Sequence, residues 1–359
     1  MHKSLLYFLM LLPLAAASGE ACAAVPDHAV VLIYHHVSTT APASTSVSPD
    51  QFQDHLDHLA ANGYQVVPLA AIVDSLQQGS GLPDKVVSLT FDDGYRSVYT
   101  EAFPRLQERG WPFTIFVCPD AVDEGGGPIL TWDELREMAA AGATVANHGL
   151  THDYLQHRRP GETSATWRER TRAELVQAQQ RIAGEIGTVQ PLFAYPYGEY
   201  SPGLQDLLAE LGWAAFGQQS GPVGRDSDFT ILPRFPMVGS FASMETFPVK
   251  VASLPLPVLA SEPRTPQWSP DGSSDPDAWR PRLRITLRPG DYRVDQLAAY
   301  ASEQGAAEIV PVDPDGLVFD VRCRQPLPRG RSRYNITAPA TEGRRYFWYS
   351  HTWIVGERP

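Results

Sequence analysis

Two adjacent carboxylates stand directly after an apolar run in the stretch LTFDDGYRSVY, residues 89–99. The run predicts a short buried strand, and Gly94 lets the backbone turn sharply right after Asp92 and Asp93. In a sheet with crossover helices, such strand ends are where ligand and catalytic sites form. Two like charges repel each other, so a functional pair needs a positive group nearby. The alternative is a solvated turn that caps a helix.

Two histidines occupy a comparable position in the stretch ATVANHGLTHDYL, residues 143–155. His148 and His152 are four residues apart at the end of another predicted strand, and imidazole with carboxylate is a normal ligand set for zinc. If both loops open onto one barrel face, an Asp and two His give three ligands and leave a position for water, as in catalytic zinc sites. The second carboxylate could then accept a proton from that water as general base.

The motifs TFDDG, NHGLTHDYL and YPYG, in this order, resemble the polysaccharide deacetylase family, also called the NodB-homology or carbohydrate esterase 4 proteins. The resemblance covers roughly residues 30–237. It implies a distorted (β/α) barrel that removes N- or O-acetyl groups from glycans.

The resemblance also implies a role for each motif residue. Asp92 corresponds to the general base, and Asp93, His148 and His152 correspond to the ligands of a divalent metal, with zinc as the expected ion. Tyr197 corresponds to the residue whose backbone N–H, together with the metal, stabilises the oxyanion. A donor of this kind typically contributes about 3 kcal/mol.

Two positions depart from the family pattern. Ala194 stands where an arginine usually orients the base, and the usual C-terminal histidine that serves as general acid is missing. Arg234 in LPRFPMVG could replace the arginine, and His35 in YHHV could replace the histidine. This pair of changes resembles the branch that contains the poly-β-1,6-N-acetylglucosamine deacetylases. The alternative for His35 and His36 is a pair of hydrogen-bonded histidines at a strand end.

The elements around these motifs predict two domains. From residue 29 to about 238, strand-like runs alternate with helical patterns, which predicts a parallel sheet closed or nearly closed into a barrel, with an open doubly wound sheet as the alternative. Eight prolines between residues 247 and 282 predict a linker. The predicted organisation is a signal peptide, a barrel, a proline-rich linker and a small β-rich domain that could bind carbohydrate, at residues 1–23, 24–250, 251–281 and 282–359.

The most aromatic stretch of the chain is RRYFWYSHTWIVG, residues 344–356. As a strand it would direct Trp348 to one face and Phe347 to the other. If both faces are buried, the stretch is sandwich core. If one face is exposed, its rings could stack on sugars.

Composition and charge limit the partners and the compartment. The 359 residues carry a formal net charge of −12, and residues 1–262 hold 15 basic against 29 acidic side chains, which argues against a nucleic-acid partner. A basic start, an apolar stretch and small residues predict a cleaved export signal, with no membrane-spanning segment after cleavage. Cys118 and Cys323 could form a disulfide or be two buried small residues.

These observations together predict an exported, metal-dependent deacetylase of an N-acetylated polysaccharide, located in the periplasm or secreted. A non-heme iron oxygenase could use the same Asp, His and His set. A glycan-binding relative that has lost catalysis is the third possibility, because the third motif is altered. The sequence does not predict the oligomeric state.

Overall fold

The computed structural model describes residues 27–270 and 273–356. The expected signal peptide, residues 1–23, lies outside the described residues. No helix within the described ranges is long and apolar enough to cross a membrane.

The first domain is built on a curled sheet whose central strands are buried on both faces. The sheet has the order β10-β1-β5-β6-β7-β8-β9, and all of its neighbouring pairs are parallel except β10 with β1. The strands of this domain are β1 (His28–Tyr34), β2 (His36–Val37), β3 (Ser46–Val47), β4 (Gln65–Val66), β5 (Val86–Phe91), β6 (Thr114–Val117), β7 (Thr144–Asn147), β8 (Leu192–Ala194), β9 (Ala214–Phe216), β10 (Val223–Gly224) and β11 (Phe235–Pro236). Strands β2 and β3 pair with each other in a separate two-stranded sheet.

One segment, residues 232–236, runs between the two ends of this sheet. Leu232 forms a parallel bridge with Phe216 of β9, and Phe235 of β11 pairs with Leu32 of β1. The sheet therefore curls into the distorted (β/α) barrel that the resemblance implied, and that prediction is confirmed.

Helices cover the outside of the barrel and connect its parallel strands. The first begins at a capping box between Ser48 and Gln51, and the fifth at the box between Thr131 and Glu134, so their first turns have hydrogen-bond partners. The helices are α1 (Pro49–Ala61), α2 (Leu69–Gln78), α3 (Phe103–Glu108), α4 (Pro119–Glu124), α5 (Trp132–Ala140), α6 (Ser164–Ile186), α7 (Pro202–Leu211) and α8 (Phe247–Val251).

The second domain is a pair of β-sheets that share one apolar core. One sheet has the order β12-β21-β20-β16-β17 with β14 also on β21, and the other has the order β13-β15-β19-β18. The strands are β12 (Leu254–Pro255), β13 (Val258–Glu262), β14 (Gln267–Trp268), β15 (Arg282–Leu287), β16 (Ala298–Ala301), β17 (Gly305–Ala306), β18 (Glu308–Pro311), β19 (Val318–Arg322), β20 (Gly330–Pro339) and β21 (Tyr346–Val355).

The structure corrects the expected linker. Residues 251–281 contain β12, β13 and β14, which pair with β21 and β15 of the second domain. These strands are short and lie at sheet edges, where a proline that lacks an N–H removes no necessary hydrogen bond. In this segment the high proline content therefore indicates edge strands and not a linker.

Both faces of the aromatic strand β21 are covered. Phe347 and Trp353 belong to the sandwich core, whereas Trp348 packs on the barrel, with its ring centroid 5.2 Å from that of Phe235. This matches the buried alternative for most of the strand, while the half-buried Trp348 also lines a cavity between the barrel and the second domain. Cys118 and Cys323 are both free and buried, one in each domain, which rules out the disulfide.

Candidate active site

The two carboxylates lie where β5 ends at the mouth of the barrel. Strand β5 is in register with β1, and the backbone N–H of Asp92 donates to the carbonyl oxygen of Tyr34 at 3.0 Å. Gly94 follows with φ 68°, and a Cβ there would lie 3.1 Å from Cγ1 of Val117. Only glycine fits both this backbone conformation and this space, so the turn that presents Asp93 depends on it.

Three candidate metal ligands converge at this point. One ligand atom from each of Asp93, His148 and His152 lies within 4.8 Å of the other two. Oδ1 of Asp93 is 3.2 Å from Nε2 of His148 and 3.2 Å from Nε2 of His152. The strand ends of β5 and β7 therefore bring the two sequence motifs together.

The hydrogen bonds around this cluster favour a cation at its centre. His148 Nδ1 lies 2.8 Å from the carbonyl oxygen of Ala194, and this bond requires the proton on Nδ1. When this ring is neutral, its Nε2 lone pair faces the carboxylate of Asp93, and a cation between the two acceptors would satisfy both. Within the described part of the chain, Asp93 Oδ1 is buried and has no hydrogen-bond partner. A carboxylate and two imidazole nitrogens are ligands that suit zinc, so the residues fit a divalent metal.

Asp92 is the second carboxylate, and it is fully buried against Arg234, which is also fully buried. Nη1 and Nη2 of Arg234 donate to the two Asp92 oxygens at 2.7 and 2.8 Å. Burial raises the pKa of a carboxyl group, but the Arg234 guanidinium together with His148 and His35 holds the pKa of Asp92 below its usual value. Arg234 is itself fixed by the Gly217 carbonyl at 2.9 Å and by Oγ1 of Thr90 at 3.2 Å.

His35 follows β1 at the position next to Asp92. Tyr34 pairs with Phe91 in the neighbouring strand, so the next residues, His35 and Asp92, lie side by side where the two strands end. Nδ1 of His35 is buried and has no hydrogen-bond partner among residues 27–270 and 273–356. His36 instead stacks on Tyr95 with ring centroids 3.5 Å apart, so the adjacent histidines occupy different surroundings.

Tyr197 lies in a short turn after β8 with a left-handed backbone, φ 59° and ψ 0°. Its ring meets the edge of His152 with centroids 4.5 Å apart and stacks on Tyr154 at 4.1 Å. Its carbonyl oxygen accepts a hydrogen bond from Arg331 of the second domain. The YPYG motif therefore borders the cluster of candidate ligands on one side.

Several residues of the site were not found from the sequence. Ala194 contributes only its carbonyl oxygen, which any residue could supply. The pKa of Tyr95 is raised, first by burial and then by the nearby carboxylate of Asp93. Of the five described non-glycine residues with positive φ, three are Asp93, His152 and Tyr197. Such strained backbone commonly gathers at functional sites, but the residue types give no signal of it.

A cavity of about 680 Å³ lies elsewhere, between the barrel and the second domain. Its walls include Tyr200, Gln219 and Trp348, and they include none of the candidate metal ligands. The ion pair between Arg288 and Asp226 joins the two domains at its rim. We therefore assign the chemistry to the barrel mouth, where the ionisable groups converge.

The arrangement at the barrel mouth suits hydrolysis of an acyl bond. It combines three candidate metal ligands with an oriented, ionised carboxylate next to them. It also has a histidine with a free buried nitrogen and a turn with an unusual backbone. These are the parts that metal-assisted attack by water on a carbonyl group requires.

Comparison with known proteins supports this assignment. A family model described as polysaccharide deacetylase matches residues 79–216. The chain is 27% identical over 260 residues to the poly-beta-1,6-N-acetyl-D-glucosamine N-deacetylase of Escherichia coli (strain K12), covering 63% of this chain and 38% of that protein. It is 34% identical over 142 residues to the chitooligosaccharide deacetylase of Sinorhizobium fredii (strain NBRC 101917 / NGR234), covering 39% of this chain and 58% of that protein. The chain thus spans less than two thirds of the length of these curated relatives.

A solved structure has the same fold. IcaB from Ammonifex degensii superposes with a TM-score of 0.54 and is 26% identical to this chain. The superposition covers 64% of this chain and 97% of the IcaB chain. The part of this chain outside the superposition is about the size of the second domain.

Proposed function

We propose that this protein, whose residues 79–216 match a family model described as polysaccharide deacetylase, is an exported, metal-dependent hydrolase that removes acetyl groups from an N-acetylated polysaccharide. The observation that carries the proposal is the convergence of Asp93, His148 and His152 beside the buried pair of Asp92 and Arg234. The relative named for N-deacetylation of poly-beta-1,6-N-acetyl-D-glucosamine supports a polymer of N-acetylglucosamine as substrate.

Each residue of the site has a part in the proposed reaction. When bound, a divalent cation such as zinc acidifies a water molecule and polarises the acetyl carbonyl. Asp92 accepts the proton of the attacking water as general base. Arg234 keeps that carboxylate ionised and fixes both of its oxygens in one orientation. The backbone N–H of Tyr197 stabilises the negative charge that develops on the acetyl oxygen.

His35 is proposed as the general acid that protonates the leaving amine. Two observations support it: its position beside Asp92 at the strand ends, and a buried Nδ1 that has no partner in the described residues. A ring nitrogen without a protein partner can exchange a proton with a ligand.

Export is proposed from residues 1–23, where a basic residue, an apolar stretch and small residues follow one another. The expected product is a mature protein that begins near residue 24. N-terminal sequencing of the protein recovered outside the cytoplasm tests this, and an uncleaved N-terminus there would contradict it.

The test of the activity is acetate release across a panel of N-acetylated and O-acetylated glycans, with the metal content determined on the same sample. We expect release from N-acetylated β-1,6-linked glucosamine oligomers and loss of release after chelation, with recovery on addition of zinc. Metal binding without acetate release from any glycan would support the non-catalytic glycan-binding alternative. A requirement for ferrous iron and oxygen would support an oxygenase.

A further inference from the structure

The second domain brings one charged side chain to the active-site turn. Arg331 lies in β20, where residues alternate between the sandwich core and the face turned outward. Its Nη1 donates to the carbonyl oxygen of Tyr197 and, at 2.8 Å, to Oε1 of Gln218. A single guanidinium nitrogen of one domain therefore joins two loops at the barrel mouth of the other.

The turn that Arg331 contacts needs external support. Tyr197 is a non-glycine residue in the left-handed region, which a chain holds only where its surroundings fix it. Gly198 follows it, and a Cβ there would lie 2.7 Å from Cβ of Gln218. Gln218 thus packs directly on the turn, and Arg331 bonds both the turn and the side chain packed against it.

A nearby negative charge also favours this position of the Arg331 guanidinium. Glu199 continues the turn and attracts the Arg331 guanidinium electrostatically. Glu199 also accepts a hydrogen bond from Gln156 at 2.6 Å, which links this edge to the loop after His152. The hydrogen bonds and the nearby carboxylate together hold the guanidinium at this position.

We propose that Arg331 is a positioning residue, which holds Tyr197 in the conformation that aims its backbone N–H at the reacting carbonyl. The second domain then completes the deacetylase site and is required for full turnover even on short substrates. The catalytic part of this inference rests on the proposed function. The conformational part, that Arg331 holds the turn of residues 195–199, does not.

The test uses Arg331→Ala in the full chain, with Arg333→Ala as the matched control. Arg333 is two residues further along the same face of β20, and its guanidinium has no hydrogen bond or ion pair in the portions of the chain that are described. We expect kcat on a short N-acetylated oligosaccharide to fall by about tenfold or more in Arg331→Ala, the size typical for loss of a residue that orients a catalytic group. KM and metal content should remain within about twofold, because substrate and metal contacts are unchanged. Arg333→Ala should match the wild type in all three quantities.

A second measurement does not depend on activity. Hydrogen exchange of the peptide that contains residues 195–199 should be faster in Arg331→Ala than in the wild type and in Arg333→Ala. Arg331→Lys should restore the slow exchange and most of kcat, because one ammonium nitrogen can donate to both acceptors.

The outcomes separate the two proposals. Unchanged exchange in Arg331→Ala, or equal losses of kcat in both alanine variants, would overturn the role of Arg331. If the wild type releases acetate from no glycan but exchange differs as expected, the proposed function fails while Arg331 is still shown to hold the turn.

Discussion

Two buried ionisable groups, one in the barrel and one in the second domain, differ in charge state. In the barrel, Asp92 is fully buried and stays charged because Arg234 bonds both of its oxygens. In the second domain, His351 is 4% exposed, and burial lowers its pKa to about 3, so the ring is neutral. Because a buried charge is costly unless it is paired, Asp92 stays ionised beside Arg234, whereas the His351 ring, without an ion-pair partner among the described residues, is neutral.

The barrel mouth and the second domain also differ in where their candidate functional groups lie. The cluster of candidate ligands, the ionised carboxylate and three strained residues all lie at the barrel mouth. Ion pairs of the second domain such as Arg280 with Glu308, whose carboxylate is half-exposed, contribute little to stability. The following predictions test whether substitutions at the barrel mouth affect activity and stability more than substitutions in the second domain.

The largest effect is expected at the adjacent carboxylates. Asp93→Ala or His148→Ala should remove most of the bound metal and with it several kcal/mol of transition-state stabilisation, or roughly a thousandfold in turnover. Asp92→Asn should keep the metal and lower turnover by about 10² to 10⁴, because a general base only moves a proton. Metal analysis and acetate release on the same samples check this. Equal metal loss in all three variants would contradict the division of roles.

The next effect concerns the stability of the buried pair. Arg234→Met leaves Asp92 buried without a partner and should lower the free energy of unfolding by about 3–5 kcal/mol in urea denaturation. Arg264→Met is the control, because its ion pair with Asp228 involves an arginine side chain that is 81% exposed. That variant should lose less than about 1 kcal/mol. Similar losses in both variants would show that burial does not set the strength of these pairs.

His35→Ala should lower turnover by roughly a hundredfold while the metal is retained, as expected for loss of a general acid. His36→Ala serves as the control, because His36 stacks on Tyr95 instead of leaving a buried nitrogen free. Steady-state kinetics with metal analysis check both variants. Near-normal activity of His35→Ala would move the acid to another group.

The smallest effect is expected in the second domain and depends on pH. Between pH 6.5 and about 3 the unfolded chain binds a proton that the buried His351 ring does not, so stability falls as the pH decreases through this window. His351→Phe should remove about 2 kcal/mol of the stability loss that the wild type shows between pH 7 and pH 5. Urea denaturation at both pH values checks this, and the exposed His157→Phe is the control. Parallel pH profiles for wild type and His351→Phe would show that the ring is charged in the native state.

The residues with chemical roles at the site were more predictable from the sequence than the residues that hold them in place. Asp92, Asp93, His148 and His152 stand in compact motifs at strand ends, and a parallel barrel brings such ends to one face. The prediction that Arg234 pairs with Asp92 came from a resemblance, because the two residues are 142 positions apart. Residues so far apart in the sequence form no local motif from which their pairing could be predicted.

The supports were missed for physical reasons. Ala194 acts through its backbone, and Arg331 comes from another domain. Tyr197 was predicted as a site residue, but not its left-handed backbone, which its residue type disfavours. The prolines of residues 251–281 indicated a linker, because a sequence does not say that a strand lies at an edge. Local residue types predict helices and strands. Tertiary contacts determine which residues support the site and which strands lie at a sheet edge.

The contact between Trp348 and Phe235 has a consequence for the order of folding. Phe235 belongs to the segment between the two ends of the barrel sheet, and Trp348 lies in the last strand of the described chain. A growing chain therefore lacks part of the cover of its first domain until Trp348 has been synthesised. Pairings of such large sequence separation form slowly, and the incomplete barrel exposes apolar surface meanwhile. Chaperone binding to nascent chains should therefore concentrate on the apolar surface around Phe235.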